Sequence, residues 1–387
     1  QIAAEADTVI YCGGNDPEQV ARECYDRKTI ELPDVQRKAV LKLAETRPDF
    51  VFVIVSSYTY SMPFTDKRPA AILWTNHAGP ELGHAFAQTV FGVHNPAGRT
   101  PVTWYECDED LADIKDYDIM KNKMTYRWFE GKALYPFGHG LSYTGFEYSN
   151  VNYEVKENEI IVSADIRNIG KCDGEEVVQV YYRPVSQRIR RPVKQLCGFR
   201  RISVRAGESV HVEISVPLRE LEFYDVSRQR FCLESGEYEI MTGASSSDIR
   251  HSGTVSVTGE VIPPRDFTIE TEAQYYDREK NTEIYIDPIT CESHVRGRKW
   301  VNTLTYQNVC LDGVKEIAVK AAAVVSEKKI AVLIDDAKEP ACELTIAASD
   351  GYTDFNEYTA EIDISGNHDI TLSFGENVCV SLIRTIK

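Results

Sequence analysis

The chain is 387 residues long, 43% hydrophobic and 27% charged, values of a folded protein too long for one ordinary core. Its formal net charge of −17 excludes nucleic acid and anionic membrane as natural partners and suits a protein acting on neutral ligands. No apolar run approaches the roughly 18 residues of a membrane-spanning helix.

The first element is an apolar run, Asp7 to Cys12, which feeds into Gly13-Gly14. A polar loop follows with Glu18, Arg22, Glu23, Asp26 and Arg27. After Pro33, Val35, Ala39, Val40, Leu43 and Ala44 recur at helical spacing. A buried strand, a glycine turn, a charged loop and a helix form the arrangement by which open α/β sheets place functional groups beyond the carboxyl ends of their strands. Phe50 to Ser56 is a continuous β-branched and aromatic run suited to a parallel strand buried on both faces, and Ala70 to Trp74 is another. Between Gly79 and Gly92, Leu82, Phe86, Val90 and Phe91 share one helical stripe closed by glycine. Asn95 to Gly98 is a turn, and Pro101 to Tyr105 reads as a short strand. Only three or four strands are counted here, and the opening QIAAEADTVIYCGG has neither the basic region nor the cleavage site of a signal peptide. The expectation is the later part of a longer polypeptide.

From about Phe146 the pattern becomes all-β. Ile160 to Ile166, Val177 to Tyr182, Val210 to Val216 and Gly236 to Thr242 alternate inward and outward residues between glycine or charged turns, as in an antiparallel sandwich. Val261 to Arg265 reads as a linker. Beyond it, strands are expected at 284–286, 316–319, 329–334, 358–362, 370–374 and 378–383, closing a second sandwich like a jelly roll. The fold class is therefore α/β followed by all-β, with regions 1–145, 146–260 and 266–387. The ten cysteines form no C-x-x-C pair and complete no zinc pattern with histidine, so free thiols in a reducing, cytoplasmic setting are expected and no metal.

Three spaced motifs resemble glycoside hydrolase family 3, in its second, α/β-sandwich domain. Arg22-Glu23-Cys24-Tyr25-Asp26-Arg27, then Ile30, Leu32, Pro33 and Gln36, follow the segment that carries the family's acid/base glutamate. Arg22 stands where a small residue is usual. The stretch from Ala70 to Tyr105 resembles the family's Pro-Gly-x-Glu to Asn-Pro-x-Gly-Arg-x-Pro region, although His77-Ala78-Gly79-Pro80-Glu81 departs from the usual turn. Leu134 to Thr144, LYPFGHGLSYT, is a close match. Asn168-Ile169-Gly170 to Tyr181, with Leu218 to Leu221 and Phe223 to Asp225, resembles the fibronectin type III-like domain of many members. The last region is similar to a family 6 carbohydrate-binding module in Ile269 to Glu272, Tyr306 to Val309 and Gly351-Tyr352. Tyr352 replaces the usual stacking tryptophan, the final-strand polar residue is Ser381 at best, and Trp300 lies several residues off the usual aromatic position.

The resemblance implies a retaining β-glucosidase or β-xylosidase that needs no cofactor. Such hydrolysis takes two carboxyl groups about 5 Å apart, one protonating the leaving oxygen and the other attacking. Glu23 takes the acid/base position, with Glu18 its nearby rival; read from the local sequence alone, Glu23 is more simply a surface carboxylate paired with Arg22 or Arg27, and it is the resemblance that favours the acid/base role. Arg22, Tyr25, Ser57, Tyr58 and, in the last region, Tyr352 are candidates for holding an oligosaccharide or glycoside. Ser57 and Tyr58 read equally as a strand end. Asp26-Arg27 reads as a loop brace, Glu81 as a helix-start residue, Arg99 as a turn or interdomain contact and Trp128-Phe129 as core. The family's nucleophile is an aspartate on a (β/α)₈ barrel. Ser-Asp occurs here only at 247–248 and 349–350, in β regions, so the barrel is the partner expected, on the same or a separate chain. The alternative is a non-catalytic carbohydrate-binding or structural protein on the same folds.

Overall fold

The computed structural model describes every residue except Gln1, Pro17, Gln19, Glu23, Pro63, Thr65, Asp66, Lys67, Lys115 and Ile289. Three parallel strands come first: β1 (Ile10–Gly14), β2 (Val51–Val55) and β3 (Ala71–Thr75), in that spatial order. The helix Asp34–Thr46 starts after Pro33 and buries Val40 and Ala44. It joins Phe50, Phe52 and Ile54 in one apolar cluster with Tyr60 and Trp104. The alternation of β2 explains the pattern: Phe52 and Ile54 are fully buried on that face, and Val53 is nearly so on the other.

Three sequence expectations are corrected in this region. The first strand begins at Ile10, because Asp7 and Thr8 lie in a bend. Pro101 to Tyr105 is not a strand; Pro101 has no N–H to give, and pairing reduces to one bridge between Trp104 and Tyr135. The helix Leu82–Val90 forms as expected, yet Phe91, just past its end, is 79% exposed and not part of a buried stripe.

Residues 146–257 make two main sheets over a common core, with a two-stranded ribbon of Phe223–Asp225 and Arg230–Cys232 beside them. Phe146–Lys156, Glu159–Asn168 and Ser209–Pro217 form one, and the strands 249–257, 236–243, 174–184 and 195–204 form the other. Ile160, Val162, Ala164 and Ile166, at alternate positions, meet Val178, Val180, Tyr238 and Ile240 from the opposite sheet. The strand Gln195–Val204 was not expected. Its Arg200-Arg201 pair and exposed Phe199 break the apolar alternation because it lies at a sheet edge.

Residues 271–386 carry two further sheets. One runs Thr282–Ile286, Ser293–Gly297, Val378–Ile386 and Glu316–Val324, with short additions; the other runs Arg278–Lys280, Asn302–Cys310, Asn367–Phe374, Lys328–Ile334 and Cys342–Ile346. A single apolar cluster lies between them, including Leu304, Val332 and Leu372 from one and Val295, Val319 and Val380 from the other. Arg265 stitches this part to the preceding one. Its guanidinium pairs with Asp277 at 2.8 Å, both side chains almost fully buried, and also reaches Ser227.

The glycine-rich motif is a seam. Gly138 has φ +80° and its missing Cβ would lie 2.1 Å from Gln179 Oε1; a Cβ on Gly140 would lie 2.2 Å from the Gly98 carbonyl. Thr100 N–H donates to the His139 carbonyl and Gly138 N–H to the Thr100 carbonyl, each at 2.8 Å. The two motifs NPAGR and LYPFGHG are thus one unit that packs on the neighbouring β region. Arg99 is an interdomain contact: it pairs with buried Glu176 at 2.9 Å. Trp128 is core, at 6% exposure. All ten cysteines are free. Among the described residues, no helix is long and apolar enough to cross a membrane.

Candidate active site

The loop that follows β1 is tied at both ends. Gly14, at φ +140°, lies so close to β2 that a Cβ would sit 1.8 Å from the Val55 carbonyl oxygen. The Gln36 amide clamps it from the helix: its Oε1 accepts from Gly14 N–H at 2.9 Å and its Nε2 donates to the Gly14 carbonyl at 2.8 Å. This is why a glutamine three residues after Pro33 belongs to the motif. At the other end Ile30 and Leu32 enter the core. Between them Arg27 donates to the Thr59 carbonyl at 2.6 Å and lies over the rings of Tyr58 and Tyr60 at 4.6 and 5.2 Å. Burial pulls its guanidinium below the ordinary arginine value, yet it stays a cation. Arg27 braces the loop.

Within the loop, Arg22 and Tyr25 close a tight turn: Arg22 N–H donates to the Tyr25 carbonyl at 3.1 Å, and Tyr25 N–H to the Arg22 carbonyl at 2.9 Å. Cys24 takes φ +63° inside it, an uncommon value for a residue with a side chain. Glu23, the expected acid/base residue, lies outside the described residues. Its neighbour Arg22 lines a cavity of about 1350 Å³, and Tyr25, 63% exposed, lines an adjoining one of about 370 Å³. Asp26, Arg27, Lys28 and Thr29 border both.

Ser57 and Tyr58 line the larger cavity at the carboxyl end of β2. Buried Ser56 shapes that corner: its hydroxyl donates to the Tyr58 carbonyl, and its own carbonyl accepts from the Trp74 indole. The Tyr58 hydroxyl donates to the Ala21 carbonyl at 2.9 Å, so this ring is committed to holding the loop. Tyr352 is elsewhere, in the last region. Its ring lies 4.2 Å from the Arg296 guanidinium, and its hydroxyl donates to Asn377 at 3.1 Å. Arg22, Ser57 and Tyr58 therefore share one cavity, Tyr25 borders the next, and Tyr352 belongs to neither.

Sequence reasoning missed part of the wall. Asn15 Oδ1 accepts from Ser57 N–H at 3.1 Å and meets His77 Nε2 at 3.1 Å, and both Asn15 and His77 line the larger cavity. Glu81 pairs with His84 at 2.6 Å on the surface instead of capping its helix. A further part of the lining comes from an acidic stretch after Tyr105, including Asp108, Asp113 and Asp116. Asp108 accepts from Ile30 N–H at 2.7 Å and so fixes that stretch against the loop. Its density of acidic residues was the available signal. Among the described residues, no three His, Cys, Asp or Glu side chains converge as a metal site would require.

The three sequence motifs fall in a region that matches a known domain: residues 1–143 fit the model of the glycosyl hydrolase family 3 C-terminal domain. The chain carries that domain. Residues 176–246 match the fibronectin type III-like domain. The thermostable β-glucosidase B of Acetivibrio thermocellus is 30% identical over 311 residues, covering 76% of this chain and 40% of that protein. The xylan 1,4-β-xylosidase of Xylanibacter ruminicola is 35% identical over 62% of this chain and 29% of its own length. The crystal structure of the Kluyveromyces marxianus β-glucosidase in complex with glucose superposes with TM-score 0.61 at 29% identity, over 66% of this chain and 32% of that one. The chain thus spans well under half the length of these relatives.

Proposed function

We infer that this chain is the C-terminal portion of a retaining, exo-acting β-glycosidase, of β-glucosidase or β-xylosidase type, that removes terminal sugars from oligosaccharides or glycosides. Glu23 protonates the leaving oxygen and later deprotonates the attacking water, while an aspartate on a (β/α)₈ barrel outside this chain forms the glycosyl intermediate. The carrying observation is the tied loop of Arg22 to Lys28 on the wall of a cavity beyond the ends of β1 and β2. Arg22, Ser57 and, beside them, Tyr25 supply polar and stacking contacts to sugar, with Tyr58 holding the loop. Three separate apolar clusters support a division into 1–145, 146–260 and 266–387. The two-sheet form of 266–387 supports a jelly-roll, carbohydrate-binding-module-like reading with Tyr352 in its ligand loop.

The test is Glu23→Gln in the complete enzyme. Hydrolysis of substrates with poor leaving groups is expected to fall by roughly 10² to 10⁴, the worth of a general acid. Glycosylation with nitrophenol-type groups, which need little protonation, is expected to stay near the parent rate. Equal loss on both substrate types sinks the assignment.

A further inference from the structure

The geometry points to a positioning role for the last β region: Tyr276 and the Thr282 carbonyl hold in place the acidic strap that forms one wall of the large cavity. This rests on the glycosidase reading above only for what the cavity accepts. The strap, residues 106–131, contributes Asp108, Ile114, Asp116 and Met124, among others, to the wall. Its described residues form little regular structure beyond a short 3₁₀ turn and the helix Thr125–Trp128. Nor does apolar burial hold its middle, for Tyr117 is 72% exposed and Ile119 46%. A segment with so few buried apolar contacts opens easily unless polar contacts restrain it.

Two such contacts cross from residues 266–387. Asp118 is only 7% exposed. One carboxylate oxygen accepts from Lys121 N–H at 2.9 Å, and the other accepts the Tyr276 hydroxyl. Lys121 Nζ bridges the same regions, donating to wall residue Asp116 at 3.2 Å and to the Thr282 carbonyl at 2.7 Å. The Tyr276 ring packs on the core of the last region. Its hydroxyl is therefore a fixed point presented to the strap. A buried carboxylate is costly unless its lone pairs are met, so Asp118 is seated only while Tyr276 is there. The strap's C-terminal end is anchored separately on the fibronectin-like part, where Leu196 N–H donates to Tyr126 and Arg127 to Gln195. The middle, carrying Asp116, depends on the last region alone among these anchors.

The test compares Tyr276→Phe, Asp118→Ala and Asp118→Asn with the parent. The phenylalanine keeps the packed ring, and the asparagine keeps a hydrogen-bonding partner for Tyr276, so it serves as the conservative rescue. In the 387-residue chain, amide exchange over residues 116–124 is expected to quicken roughly tenfold in Tyr276→Phe and Asp118→Ala, the worth of one hydrogen bond to a charged group. It is expected to stay near parent in Asp118→Asn and, in all three, over 146–257. In the complete enzyme the same two variants are expected to raise KM for glycosides several-fold with kcat changed less than twofold. Unchanged exchange over 116–124 overturns the proposal, and so does quickened exchange with parental KM. A complete enzyme that hydrolyses no glycoside refutes the glycosidase reading, and the exchange result then decides the tether by itself.

Discussion

The Arg99–Glu176 pair ties the family 3 domain to the neighbouring sandwich, and Arg99→Ala tests how much that seam contributes. Both side chains are under a tenth exposed, at 9% and 4%. Besides Arg99, Glu176 keeps the Tyr148 hydroxyl, which donates at 2.8 Å, and the attraction of the Arg250 guanidinium nearby. Breaking a buried pair by removing one partner costs about 3–5 kcal/mol, because the remaining charge is stranded. Tyr148 places the expectation near the lower end, about 3 kcal/mol. The pH dependence separates a stranded charge from simple loss of packing. Burial already holds the Glu176 carboxyl above its ordinary value, against the pull of Arg99, and removing Arg99 raises it further. A carboxyl whose folded value is raised binds more protons folded than unfolded, so stability falls as pH rises through that window. The Arg99→Ala penalty is therefore larger at pH 8 than at pH 5, where part of Glu176 is protonated and cheap to bury. Urea unfolding followed by circular dichroism at the two values measures it. Arg201→Ala is the control, since its pair with Glu175 is half exposed at the arginine and is expected to cost less than about 1 kcal/mol. A penalty below about 1 kcal/mol for Arg99→Ala, or one equal at both pH values, refutes the reasoning.

Gly138→Ala is expected to destabilise by more than about 2 kcal/mol, since it adds a 2.1 Å contact to a φ of +80°; Gly207→Ala, with φ +78° in open space, isolates the conformational cost at about 1 kcal/mol. Equal urea midpoints for the two variants contradict the seam. His294 is 1% exposed, and burial, with Arg296 beside it, pushes its imidazole down to about 4. Its folded value is depressed, so the stabilisation it permits is present above about pH 6.5 and is lost towards pH 4, by at most about 3 kcal/mol. A stability profile over that window should flatten in His294→Phe, and an imidazole that titrates near 6.5 by NMR removes the basis for it.

The change from alternating β and α elements to strands alone was legible because each kind of region writes its period into the sequence. Phe50 to Ser56 is a continuous run since both faces are covered, and 160–166 alternates since only one is. Strands were missed where a local feature masks the period. Gln195–Val204 carries arginines at an exposed edge, and Asn302–Cys310 is interrupted by an irregularity between Tyr306 and Val309 with Asn308 at φ +53°. Pro101 to Tyr105 misled in the opposite sense, because apolar content alone does not say whether a neighbour offers a ladder.

By itself, the sequence determined the order of the regions, the loop between Gly14 and Pro33, and the motifs that associate it with glycosidases. What those motif residues do was decided only in three dimensions. Gln36 clamps Gly14 from 22 residues away, NPAGR and LYPFGHG form one unit, and Asp118 meets Tyr276 across 158 residues. Periodicity records which face of an element is buried. It does not record which distant donor meets which acceptor, because that pairing depends on how the packed elements come together rather than on any local spacing.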